Sequence, residues 1–223
     1  MRARLAAVLL LLCRAGIAAA ADQTVVEDWS GVAVGYKGVP PLWTKQNWGS
    51  PKYDFTIVMD DGHKALNMRS ANEGSTIAKD IKGKVNLKDT PLLEWSWKVT
   101  TLPKGADSCK KATDDQAAQV FVAWPRFPTL VRTQIIGYVW DTTAPVGTIC
   151  KSEKTGTVTY VVVRSGPADL GKWFTERRNV VEDFKKIYGA EPDNPEALSV
   201  AIDSNDTNST AESFIGAILF RRP

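Results

Sequence analysis

The sequence holds one histidine and three cysteines in 223 residues. No second histidine stands at metal-ligand spacing from His63, which excludes zinc centres built on paired imidazoles. No Gly-x-Ser-x-Gly elbow accompanies it either, so serine catalysis of the α/β-hydrolase kind is missing, and His63 reads as an ordinary core or surface histidine. The absence of a P-loop and of a Gly-x-Gly-x-x-Gly turn removes the phosphate cradle that nucleotide chemistry needs, and no cofactor is expected. There is no Cys-x-x-Cys to form a dithiol redox site. There is no basic block of the sort that tracks a nucleic-acid backbone. Beyond the first 21 residues, no apolar run approaches the roughly 20 residues that span a bilayer.

The first 21 residues are different in kind. Arg2 and Arg4 precede the apolar run Leu5 to Leu12, and Ala18, Ala19, Ala20 and Ala21 close the segment. Charge, a short apolar core, then small residues is the order a signal peptidase reads. Cys13 follows Leu12 inside the apolar run, which is the wrong setting for a lipoprotein. Residues 1–21 are therefore expected to be a signal peptide, cleaved near Ala20 or Ala21, with residues 22–223 forming a single periplasmic or secreted domain. Of 28 Lys and Arg, Arg2, Arg4 and Arg14 leave with the leader, and the remaining 25 equal the 25 Asp and Glu. That balance argues further against a nucleic-acid partner.

Two cysteines remain in an oxidising compartment. Cys109 and Cys150 flank the strand-like runs Ala117–Trp124 and Thr133–Trp140. If those runs pair as a hairpin, both cysteines lie beyond its open end, and a disulfide is expected; two separate loop thiols are the alternative.

The rest of the chain reads as short strands divided by turns. Tyr53 to Val58 alternates, Asp60-Asp61-Gly62 offers a tight turn, and His63 to Met68 returns, a hairpin pattern. In Leu93 to Val99, Leu93, Trp95, Trp97 and Val99 share one face while Glu94, Ser96 and Lys98 share the other. Similar runs cover Thr157–Arg164, Ala197–Ile202 and Phe214–Phe220. One helix is expected from about Val181 to Tyr188, with Gly189 ending it. The pattern predicts an all-β fold with one short helix: an antiparallel two-sheet β-sandwich, jelly-roll-like.

Candidate site chemistry rests on carboxylates and aromatics. Asp114 and Asp115 precede a strand, where turn residues bonding local backbone N–H groups are the simpler reading. In extended chain the two point apart, so at most one faces a given site. Asp203-Ser204-Asn205-Asp206-Thr207 gathers oxygen donors, a candidate calcium loop through Asp203, Asn205 and Asp206. It lacks the EF-hand pattern, because Asn208 stands where Gly belongs and Phe214 where Glu belongs, and turn chemistry accounts for it without metal. Asn205 and Asn208 also head glycosylation sequons. Among the eight tryptophans, Trp95 and Trp97 read as core, whereas Trp43 and Trp48, set among polar loop residues, read as exposed platforms for a sugar ring.

At these segments the chain resembles an exported bacterial family, the domain of unknown function 3047 (DUF3047). The resemblance rests on Leu92 to Val99, on Asp114-Asp115-Gln116-Ala117-Ala118-Gln119-Val120-Phe121-Val122 and on Tyr138-Val139-Trp140. It continues at Arg178-Asn179-Val180 with Asp183, and at Asp203 to Thr207. It implies a sandwich resembling carbohydrate-binding modules, with no settled activity. Gln119 stands where the family pattern leads to a basic residue, which argues against an anionic ligand held from that strand. The resemblance also suggests that Asp115, Arg178 and Asp183 form one polar network, either a ligand site or a tie between helix and sheet. Glu94, Asp115, Tyr138, Arg178, Asp183, Trp43 and Trp48 are thus the candidate ligand residues. The leading expectation is an exported binding domain whose partner is a glycan or envelope polysaccharide. A polysaccharide-active enzyme using carboxylate or Tyr/Arg chemistry is the second reading, and an interaction protein of the envelope the third.

Overall fold

A computed structural model describes residues 22–47 and 50–223; residues 1–21, where the leader is expected, and Trp48 lie outside them. In chain order the first strands are β1 (Gln23–Glu27), β2 (Thr44–Gln46), β3 (Asp54–Asp60), β4 (His63–Ala71), β5 (Gly74–Asp80) and β6 (Leu92–Thr101). There follow β7 (Ala118–Trp124), the helical turn α1 (Thr129–Arg132), β8 (Gln134–Asp141), β9 (Ile149–Lys151), β10 (Val158–Ser165) and β11 (Phe174–Asn179). Helix α2 (Val180–Tyr188), β12 (Ala197–Asp203) and β13 (Thr210–Arg221) complete the chain.

The strands form two sheets. One has the order β11-β6-β13-β4-β3, with β1 also paired to β13, and the other runs β2-β5-β12-β7-β8-β10-β9. The chain crosses between sheets from β4 to β5, back to β6 and across again to β7, the winding of a jelly-roll-like sandwich. Period-two alternation drives the closure. Leu93, Trp95, Trp97 and Val99 of β6 are fully buried and face Val120, Val122 and Trp124 of β7 and Ile136, Tyr138 and Trp140 of β8 in one core. The Trp95 ring lies 5.3 Å from that of Tyr138, across the two sheets. Indoles dominate because each buries roughly 150–250 Å². The β3–β4 turn places Asp61 and Gly62 at positive φ, as a two-residue hairpin requires.

Helix α2 forms where expected. The Asn179 side chain accepts from the backbone N–H groups of Val181 and Glu182, and Gly189 ends the helix in the left-handed region. Phe184 packs against Trp124. Two features depart from the sequence expectation. The β8–β10 pair is parallel, because β9 and its flanking turns return the chain across the sheet edge. A second helical segment, α1, sits at the tip of the β7–β8 hairpin, where Leu130 and Val131 are exposed, so no burial pattern marked it in advance. No described helix is long and apolar enough to cross a membrane.

Candidate functional site

Strand β8 is the middle of the site. On the outer face of the seven-stranded sheet, Gly137 of β8 is the register partner of Phe121 on β7 and of Tyr160 on β10. With no side chain at 137, the two rings close over the gap, 6.5 Å between centroids. Beside them opens a cavity of about 490 Å³. Phe121 is half-buried, whereas Tyr160, Gln116 and Gln119 are buried at its wall. Burial and then the neighbouring Asp114 push the Tyr160 hydroxyl well above its usual value, so it stays protonated and able to donate.

Two aspartates line the same cavity. Asp114 accepts from Gln116 Nε2 at 2.6 Å and from Ser152 Oγ at 3.2 Å. Burial nonetheless raises its pKa above the carboxylate norm. Asp203, at the end of β12, is pushed up to about 8, first by burial and then by the charge of Asp115. Gly74 on the adjacent strand makes room for it, since a Cβ there would meet Asp203 Oδ1 at 2.9 Å. Lys154 reaches the cavity wall and forms an ion pair with Asp206.

The predicted polar network divides in two. Asp115 does not join Arg178 and Asp183. It is fully buried and accepts from the backbone N–H groups of Asp206 and Thr207 at 3.0 and 2.7 Å, and from Thr207 Oγ1 at 2.6 Å. That corrects both the three-residue cluster and the local-turn reading, because the groups Asp115 holds lie more than ninety residues away in sequence. Asp114 and Asp115 do point apart, one to the cavity and one to the 204–209 loop. Within that loop Asp206 is paired to Lys154, Asn205 is exposed and its N–H bonds Asp203, and no cluster of three metal-capable side chains exists among the described residues. These contacts explain the shape of the loop without calcium.

Arg178 and Asp183 do meet. Arg178 Nε donates to Asp183 Oδ2 at 2.9 Å, and the Tyr138 hydroxyl donates to the same oxygen at 2.9 Å. Tyr138 is fully buried and Asp183 nearly so, so neither faces an open groove. The trio ties α2 to both sheets. Glu94 lies on the opposite face of the molecule, on the outer side of β6, gripped by Arg177 at 2.6 Å and Arg221 at 3.0 Å. Burial works against its charge, but the two guanidinium groups outweigh it and hold the carboxyl below its usual value. Trp43 is a further correction: it is buried, stacked on Trp29 at 5.6 Å, and its Nε1 donates to Glu27 Oε2. Its polar neighbours in sequence face solvent while the indole turns inward. His63 is exposed and stacked on Trp173 at 4.4 Å, a surface histidine. Cys109 and Cys150 form the expected disulfide, Cα atoms 5.7 Å apart.

Sequence reasoning passed over Phe121, Gly137, Tyr160 and Lys154. A signal for Phe121 existed: Val120 and Val122 are the inward positions of β7, so Phe121 is an aromatic ring on the wet face. Gly137 carried the complementary signal, a glycine inside an otherwise apolar strand, which marks close approach by something else.

Two sheets wound as a jelly roll, one bearing on its outer face a cavity with an aromatic pair and buried carboxyls, define a β-sandwich domain with a surface pocket. The chain belongs to the family described as Protein of unknown function (DUF3047), whose pattern matches residues 42–219. No curated protein matches the sequence. Similar solved structures include the family 11 carbohydrate-binding module of the cellulosomal cellulase Lic26A-Cel5E of Clostridium thermocellum. It has a TM-score of 0.48 at 9% identity, over 92% of this chain and 97% of that one. The xylan-binding domain CBM22-1 from Paenibacillus barcinonensis gives 0.41 at 12% identity, over 92% and 97% of the two chains.

Proposed function

We propose that this protein is an exported glycan-binding domain and that the cavity beside Phe121 and Tyr160 holds the sugar. One observation carries this reading: an apolar ring stands among buried amide, hydroxyl and carboxyl groups in a cavity of about 490 Å³. A pyranose presents the matching surfaces, a C–H face and a rim of hydroxyls, and ligand sites run to roughly 300–1,000 Å³. Gln116 and Gln119 offer donors and acceptors together, and the protonated Tyr160 and Asp203 add donors. The leader pattern and the disulfide support a location outside the cytoplasm, periplasmic or secreted, where envelope or extracellular polysaccharide is the available partner.

A second reading has its own observation. A carboxyl held protonated near neutrality is what a general acid requires, and Asp203 meets that condition with Asp114 lining the same cavity. A glycan-array screen followed by a reducing-end assay on every hit separates the two. Binding without release of reducing ends is the expected result. Release that disappears in Asp203→Asn favours the hydrolase. No binding to any glycan, with a defined protein recovered by pull-down, overturns the proposal.

A further inference from the structure

The cavity has an unbalanced set of charges. Among its lining residues, Glu73, Asp114 and Asp203 are acidic and Lys154 is the one cation. That ammonium is already turned to Asp206. Asp115 lies just behind, with both oxygens committed to the 204–209 loop. Glu73 is 3% exposed; its Oε2 accepts from the Lys52 N–H at 3.0 Å and from Ser75 Oγ at 2.7 Å. Its Oε1 finds no partner among the described residues. The charged groups of the lining are therefore acidic in excess.

We infer that the cavity selects glycans bearing free amino groups, hexosamine-rich chains, over neutral chains and over those containing uronic acids. This rests on the glycan-binding reading above. An ammonium group brings three donors and no acceptor, the complement of what the lining offers. The faces of Phe121 and Tyr160 also attract a cation. A neutral sugar supplies donors but adds as many acceptors. A uronate adds a further carboxylate to a lining that is already acid-rich.

The state of Asp203 agrees with this geometry. Burial and Asp115 raise its pKa, and Asp206 adds to the effect, while Lys154 and the Asn205 N–H pull the other way and do not prevail. Asp114 is raised by burial despite Gln116, Lys154 and Ser152. Both behave as carboxyls short of counter-charge. A bound ammonium supplies that charge, so its arrival should ionise Asp203 and release a proton.

The test is calorimetric titration of the intact protein at pH 6, where sugar amines are protonated. The probes are a β-1,4-linked glucosamine tetramer, its N-acetylated counterpart, a glucose tetramer of the same linkage and a galacturonate tetramer. The glucosamine tetramer should bind at least about tenfold more tightly than the others, and the heat should vary with buffer as proton release demands. Asp203→Asn and Asp114→Asn should cut the preference to within about twofold. If either fails to fold, Lys154→Gln serves instead and should widen the preference. Equal or tighter binding of the neutral or uronate chain, or a preference unchanged in these variants, overturns the inference and leaves the glycan reading standing. Failure of all four probes to bind overturns the inference, and the glycan array then decides the wider reading.

Discussion

A Cβ atom at position 137 would stand 2.6 Å from Cε1 of Phe121 and 3.1 Å from Cδ1 of Tyr160. Gly137 is thus the space into which the aromatic pair closes, and the wall of the cavity depends on it. Gly137→Ala should force either the Phe121 ring outward or the strand aside. The expected cost is about 1–3 kcal/mol of stability, as for other overpacked sites, together with at least about tenfold weaker glycan binding. Urea unfolding and a binding titration read the two effects. A variant unchanged in both would show that the ring contact has no role.

Asp203 makes stability depend on pH in a stated direction. Its pKa rises from 3.8 to about 8 on folding, so between those values the native state holds a proton that the unfolded chain releases. The contribution is fully present below about pH 4, declines as pH rises, and is lost above about 8. Asp114 acts in the same sense. Glu94 and Asp60 act oppositely, through carboxyls held low against the effect of burial by Arg177 and Arg221, and by Lys98 and Trp173. Their contribution is lost only as the medium becomes acidic. Asp203→Asn should therefore match the wild type near pH 4 and exceed it increasingly toward pH 9, measured by urea melts followed through tryptophan fluorescence. Parallel curves across that range would contradict the protonated state assigned to Asp203.

The buried trio of Tyr138, Asp183 and Arg178 is expected to govern stability and leave binding alone. Tyr138→Phe removes one hydrogen bond to a carboxylate that keeps Arg178, and should cost about 1–3 kcal/mol. Asp183→Ala strands both the hydroxyl and the guanidinium, and should cost about 3–5 kcal/mol. Glycan affinity measured on folded Tyr138→Phe should stay within about twofold of wild type. A large loss of affinity at full stability would move the ligand to this trio.

The disulfide closes 41 residues of chain. Loop-closure entropy for that span is worth about 4 kcal/mol. Cys109→Ser should lose roughly that amount under oxidising conditions and match the wild type once a reductant is added. Identical melts of the two proteins without reductant would argue against the bond.

Much of this fold is legible in the residues themselves, because alternation is a local property. Trp95 and Trp97 announce their face through Glu94, Ser96 and Lys98 between them, and Asp60-Asp61-Gly62 announces its turn. The β7–β8 pairing and the position of Cys109 and Cys150 beyond its open end follow from the same patterns. The parallel β8–β10 pair was not legible, since it depends on a crossover route and not on side-chain order. The site was less legible still. Asp115 and Asp206 stand ninety-one residues apart, and nothing near either signals that one holds the other's loop. Trp43 misled because its neighbours in sequence are polar, while Glu27 and Lys79, distant in sequence, form the partly buried ion pair beside it. Phe121 and Gly137 were visible as oddities of pattern, an exposed-face aromatic and a strand glycine. Their meaning appeared only once the register set one opposite the other.

The most direct measurement is amide chemical-shift mapping of the protein with a glycan recovered from the array. The largest changes should cluster at Gln119, Phe121, Gly137, Tyr160 and Asp203, with the outer face of β6 undisturbed. Changes centred instead on Trp173 and His63, or on Arg178 and Asp183, would contradict the assignment of the ligand to this cavity.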